Sequence, residues 1–156
     1  MRPTRFIVLR GEAKDRFGEV LHAAYLERCR RSRQTVEPAT AEKERTKLGR
    51  APLVVVVVNL APDPSHPKAN KIPRSEQRDS SAAAAQNFLL AATALGYGSM
   101  WRSGEMVRDR PISEALGLQP DDDPVGFIYL GSIPEGMRQP ANDPDLTGLV
   151  SEWNPA

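Results

Sequence analysis

Two hydrophobic periodicities alternate along the chain. RFIVLRG, Arg5 to Gly11, is a short apolar run closed by a glycine and reads as a buried strand. KDRFGEVLHAAYLERC follows, with Phe17, Val20, Leu21, Ala24 and Tyr25 at helical spacing. The next stretch, RRSRQTVEPATAEKERTKLGR, is polar and charged with Pro38 near its middle. Residues 34–50 therefore read as a solvated connector, and too little core precedes them to close a separate domain. APLVVVVVNLA then carries six consecutive apolar residues from Leu53, five of them valine, which suits a central strand covered on both faces. PDPSHPKANKIPR holds four prolines, and residues 61–74 read as irregular.

SEQRDSSAAAAQNFLLAATALG predicts the longest helix, with Ser75 as its cap, Glu76 in its first turn and Gly96 at its end. Ala82 to Ala85, with Ala91, Ala92 and Ala94, leave one flank almost free of bulk. Such a flank allows close packing against a helix or a ligand, although helix propensity alone also explains alanine in a core helix. GSMW then reads as a short strand, PISEALGL as a short helix opening on a favourable proline, and VGFIYLGS as a strand. In the tail, residues 138–156, Leu146, Leu149, Val150 and Trp153 stand at i, i+3, i+4 and i+7. That helical stripe needs a partner surface, on its own chain or another. The order β, α, β, α, β, α, β, without internal repeats, predicts one layered α+β domain over residues 1–156.

Composition removes several function classes. A chain of 156 residues, 40% of them hydrophobic, can bury one core. Its net charge of +1, with 26% charged residues, creates no overall field to draw nucleic acid or a membrane surface. The apolar run from Leu53 to Val58 is far too short to span a bilayer. A single cysteine, Cys29, permits no internal disulfide and makes a cytoplasmic location the expectation. His22 and His66 lie at no ligand spacing, so no metal is expected. No dinucleotide fingerprint, nucleophile elbow or phosphate loop occurs. RCRRSRQ, Arg28 to Gln34, could touch phosphates, although as a helix end it more often merely complements the helix dipole. LGYGSMWRSG, Leu95 to Gly104, stands out instead, with Trp101 and Arg102 set among glycines. It reads as a structural corner or as the wall of a cofactor site.

PRSEQRDSSAAAAQNFLLAATALGYGSMWRSG resembles the nitroreductase family of FMN-dependent oxidoreductases, in its small bacterial NAD(P)H nitroreductase branch. RPTRFIVLRG, RAPLVVVVV and VGFIYLGSIPEGMRQP agree in order, so the likeness covers nearly the whole chain. The resemblance implies a mainly antiparallel sheet flanked by helices and a homodimer with two FMN sites at the subunit interface. It implies hydride transfer from NAD(P)H through flavin to a nitroaromatic, quinone or similar small-molecule acceptor, with no catalytic side chain required. Trp101, Arg102, Ser103 and Gly104 would face the isoalloxazine, a backbone N–H near Ser103 or Gly104 being directed at N5. Gly98 and Gly104 would let the backbone lie close to a flat ring. Arg102 would stabilise the negative charge that reduction places at N1 and O2. The nicotinamide contact would fall on Ala91, Ala92, Thr93, Ala94, Leu95 and Gly96, and Arg138 would help hold the FMN phosphate.

The resemblance has one departure. Family members carry a leading Arg-Arg-Ser segment that grips the FMN phosphate, whereas this sequence opens at the approach to the first strand, with Thr4 where relatives carry tryptophan. Arg30-Arg31-Ser32 spells the same tripeptide after the first strand and helix, a coincidence of composition. Either the start of the sequence is placed late, or the chain is a truncated member with weakened FMN binding; the alternative function is a truncated, non-catalytic flavin-binding or dimerisation remnant.

Overall fold

The valine run forms the spine of the molecule. In a computed structural model, which describes residues 3–67, 69, 71–137 and 145–153, Leu53–Asn59 is strand β2, buried from Val54 to Asn59. It lies between β1 (Thr4–Arg10) and β4 (Asp123–Ser132), and β3 (Tyr97–Arg102) completes the sheet beyond β4. The order is β1-β2-β4-β3 and every pairing is antiparallel, with Val56 opposite both Ile7 and Phe127, and Trp101 opposite Ile128. A continuous apolar run thus occurs here in an antiparallel sheet because helices cover β2 on both sides.

On one side, Leu9, Val54, Val56, Val58 and Phe127 pack against Phe17, Leu21 and Ala24 of α1 (Glu12–Ser32). The Phe17 and Phe127 rings approach to 6.4 Å between centroids. Leu48, Met106, Val107, Leu118 and Ile112 of α4 (Arg110–Ala115) complete this cluster. On the other side a single helix, α3 (Arg74–Ala94), lays Ala82, Ala85, Phe88 and Leu89 over Val55, Val57, Val125 and Ile128. Together they form an α+β arrangement of three layers.

Three local expectations are corrected. Residues 34–50 are more than connector: Pro38–Thr46 forms a helix, α2, followed by a 3-10 turn at Lys47–Arg50. α2 sits tightly on α1 because Gly18 has no side chain; a Cβ there would lie 2.2 Å from the Arg45 carbonyl oxygen. Ser75 does not cap α3. The helix opens one residue earlier, after Pro73, and the Arg74 guanidinium ties this end down by donating to the Leu60 and Asp121 carbonyls at 2.6 and 2.8 Å. Gly96 does end it, at φ 80°, donating its N–H to Thr93 O. In the tail, residues 145–153 make one turn, Leu149 N–H to Leu146 O, in place of the helix that the spacing predicts. Among the described residues no helix is long and apolar enough to cross a membrane.

Candidate functional site

Successive side chains of β3 point to opposite faces of the sheet. Ser99 and Trp101 turn toward α3, and the indole packs with the α3 cluster. It lies so close over Gly126 that a Cβ on that residue would stand 1.9 Å from Trp101 Nε1. The indole N–H is buried there without an acceptor among the described residues. Gly98, Met100 and Arg102 take the opposite face, beside Tyr129 and Gly131 of β4, and form the floor of a cleft of about 1020 Å³. Trp101, Ser103 and Gly104 line one wall of it, Trp101 through its backbone.

The facing wall comes from α2 and the turn after it, through Lys43, Glu44, Lys47, Arg50 and the Ala51-Pro52 pair. Lys14 holds this wall by donating from Nζ to the Ala51 carbonyl at 2.6 Å. Gly131 lets β4 pass close beneath it, since a Cβ would meet Pro52 Cδ at 2.8 Å. Arg28 of α1 and Glu105, Met106 close one end, and Ser132 to Pro134 with Met137 close the other.

Charge is concentrated here. Five cations line the cleft against two carboxylates, Glu44 and Glu105, in a chain whose net charge is only +1. Glu44 pairs with Lys47, and Glu105 with Arg28 at 3.0 Å. Lys43, Arg50 and Arg102 have no hydrogen-bond or ion-pair partner among the described residues. Tyr129 lies among them. Burial pushes its phenol above the ordinary tyrosine value, the Arg50 and Arg102 charges pull it back down, and Glu44 pushes it up again. The phenol thus stays protonated through the neutral range and faces a ligand as a hydroxyl. Among the described residues no group of His, Cys, Asp or Glu could hold a metal ion.

This donor set suits a flat ligand that carries negative charge. A backbone wall, the Met100 thioether and a phenol give an extended surface, and unpaired cations surround it. A Cβ added at Gly104 meets no protein atom within 4 Å, so the space beside that backbone is open to a ligand. Gly98 lines the cleft too, but the room beside it is taken by Ile133, whose Cγ1 would lie 3.2 Å from a Cβ.

The predicted site residues separate into two places. Trp101, Arg102, Ser103 and Gly104 lie together at the cleft. Ala91, Ala92, Thr93, Ala94, Leu95 and Gly96 form the end of α3 and its exit, outside the lining; Ala92 is buried and the other five are exposed. Arg138 lies outside the described residues. Sequence reading missed Arg28, Lys43, Lys47, Arg50, Met100 and Tyr129. The alternation in GYGSMWR and GFIYLG would have found Met100 and Tyr129, which share a sheet face as cross-strand partners. The cations of the facing wall had no comparable signal, because they stand in a stretch without apolar periodicity.

Known proteins share this fold. The sequence profile of the Nitroreductase family matches residues 1–132. The chain is 32% identical over 151 residues to a protein of Escherichia coli (strain K12) named "Putative NAD(P)H nitroreductase YdjA", covering 97% of this chain and 76% of that protein. Among solved structures, the nitroreductase-like family protein from Bacillus cereus superposes with a TM-score of 0.71 at 21% identity, covering 98% of this chain and 74% of that one. A structure from Desulfovibrio desulfuricans, described as a putative nitroreductase in complex with FMN, superposes with a TM-score of 0.60 at 22% identity, covering 99% and 74%.

Proposed function

The chain belongs to the nitroreductase family, and from that premise we propose that it is a cytoplasmic, homodimeric FMN-dependent oxidoreductase using NAD(P)H. Nitroaromatics, quinones or similar small molecules are the acceptors. The observation that carries this reading is the cleft itself, with an open space beside Gly104 on one wall and unpaired cations around it. FMN, when bound, supplies the hydride chemistry. The chain's own residues would hold it: the Ser103–Gly104 backbone would flank the ring, and Lys43, Arg50 and Arg102 would meet its negative charge. The hydroxyl of Tyr129, on the floor, would be available as a donor.

The sheet face that α3 leaves uncovered supports a second chain. Phe6 and Val8 on β1 are 44% and 54% exposed, and Leu90 and Leu95 at the end of α3 are 58% and 75% exposed. Ala91–Gly96 ends the same helix and is exposed except at Ala92, and we assign the nicotinamide contact to it on the family resemblance. The 145–153 tail, with Leu149 and Trp153 exposed, has the same need of a covering surface.

Titration of the purified protein with FMN, followed by flavin fluorescence, tests the reading together with NAD(P)H oxidation in the presence of a nitroaromatic or a quinone. Saturable quenching and FMN-dependent turnover are expected. Binding without turnover to any acceptor would favour the non-catalytic flavin-binding alternative, and absence of binding would overturn the flavin assignment.

A further inference from the structure

A charged cluster at one end of the cleft, Arg28 and Arg31 with Glu105 and Asp109, has no part in the chemistry assigned above. After β3, the chain passes through Ser103 and Gly104 into a 3-10 turn, Glu105–Val107, and then to Asp109, which precedes α4. The turn's own hydrogen bonds, Val107 N–H to Gly104 O at 3.2 Å and Arg108 N–H to Glu105 O at 2.9 Å, close it on itself without fixing where it stands. Met106 and Val107 anchor it from below by entering the core. From the side it is gripped by one residue of α1. Arg28 reaches Glu105 Oε2 through Nη2 at 3.0 Å and Asp109 Oδ2 through Nη1 at 3.0 Å, so a single guanidinium spans both ends of the turn.

The grip is itself held. Asp109 is buried, and Arg31 reaches its second oxygen at 3.4 Å. The Arg28 guanidinium lies 5.6 Å from the centre of the Tyr25 ring, whose hydroxyl accepts the Glu37 N–H at 3.3 Å at the approach to α2. One side chain thereby joins the β3 wall to the helix whose far end leads to α2, the opposite wall. A buried carboxylate left unpaired is costly, which keeps the Asp109 arm closed. A planar fork can serve two carboxylates at once, whereas a lysine offers a single ammonium point.

We propose that Arg28 is the positioning residue of the cleft: by bridging Glu105 and Asp109 it sets the turn, and through the turn the Ser103–Gly104 backbone. This rests on reading the cleft as the FMN site. Two variants test it. Glu105→Gln removes the charge from one arm, at a side chain that is 74% exposed, and leaves the fold intact. Arg28→Lys keeps a charge for Asp109 and loses the span.

In the flavin-free protein, amide hydrogen exchange at Val107 and Arg108 is expected to accelerate roughly tenfold in both variants, with α3 amides unchanged. With FMN added, both variants should bind more weakly and show a shifted visible spectrum, Arg28→Lys more so. The double variant should be no worse than Arg28→Lys alone, because the two changes break one bridge. Parent-like exchange and parent-like FMN binding in both variants would overturn the proposal. So would faster exchange with unchanged flavin binding and spectrum, since the grip would then be structural only. Should Arg28→Lys fail to fold, Glu105→Gln decides by the same readouts. A parent that takes up no FMN would overturn the functional reading and remove the cleft role with it, while the exchange data would still show whether Arg28 holds the turn.

Discussion

The two faces of the sheet are built from alternate residues of the same strands and finish differently. On the α1 face the strand residues Leu9, Val54, Val56, Val58 and Phe127 meet two helices and two turns, and all are buried. On the α3 face Val55 and Val57 are buried, but Phe6 and Val8, their partners on β1, remain largely exposed because one helix cannot cover four strands. The first face is complete within one chain. The second leaves apolar surface exposed within the single chain. The composition of α3 fits this division, because its exposed Ala83 and Ala91 allow close approach while Leu90 and Leu95 offer apolar surface. Buried core and exposed apolar surface thus fall on opposite sides of one sheet, and the cleft opens from the buried side.

The sharpest break of this contrast is a pair of substitutions with opposite signatures. Leu21→Ala, at a side chain only 1% exposed in the α1 cluster, should cost about 3 kcal/mol, read as a lowered urea midpoint at unchanged association state. Leu90→Glu, on the uncovered side, should leave a folded chain that no longer pairs, read as a halved mass in light scattering. A stable interface of this kind buries on the order of 2,000 Å² in total, so a charge placed within it without a partner is decisive. A parent that is monomeric at every workable concentration would remove the assembly role of the α3 face altogether.

The same contrast explains how much the sequence disclosed. The completed face was legible, because burial on both sides writes itself as runs and periodicities. LVVVVVN, VGFIYLGS and the Phe17-Leu21-Ala24 spacing became β2, β4 and α1 with little change. α2 was not legible, since PATAEKERT buries only Ala41 and therefore shows no apolar stripe; its proline at the start and its helix-forming residues were the available signals. The tail erred in the opposite direction. Leu146, Leu149, Val150 and Trp153 have helical spacing, but all four stay exposed and their segment forms only a turn. Periodicity predicts a helix when a surface is there to receive it. At the site, the glycines of WRSG left a corner and a cofactor wall both open, and only the family resemblance pointed to the wall. The cationic wall could not be read, because it depends on tertiary closure of α2 against α1 at Gly18.

The cleft wall offers a third, more local test. A Cβ at Gly104 meets no protein atom within 4 Å, so Gly104→Val should leave the unfolding free energy of the flavin-free protein within about 0.5 kcal/mol. FMN occupancy should nevertheless fall, as measured by the flavin absorbance of purified protein against total chain. Gly126→Ala gives the contrasting result. A Cβ at Gly126 collides with the Trp101 indole, so this change should destabilise the chain by about 1–3 kcal/mol before any cofactor is considered. If Gly104→Val were the more destabilising of the two, the open space assigned beside the wall would be wrong.

The smallest expected effect concerns Arg102, and two independent readouts report on the same charge. Its guanidinium is exposed and lacks an ion-pair partner among the described residues, yet it pulls the Tyr129 phenol down against the effect of burial. Arg102→Ala should therefore move the Tyr129 titration further upward in the flavin-free protein, followed by tyrosinate absorbance with Tyr129→Phe as the subtraction control. The sign for stability follows. A phenol whose folded value lies above its unfolded value supports the fold below about pH 10, and loses that contribution as pH rises through the folded value. Arg102→Ala should accordingly make the alkaline loss of stability steeper, and Tyr129→Phe should make it shallower. With FMN bound, removal of a cation should lower the reduction potential, because reduction adds negative charge beside it. For an exposed charge screened by salt, the change is on the order of 20 mV or less in a two-electron couple. A shift in the phenol titration without a shift in potential would place Arg102 over Tyr129 but away from the bound ring, and the charge stabilisation would pass to Lys43 and Arg50 on the facing wall.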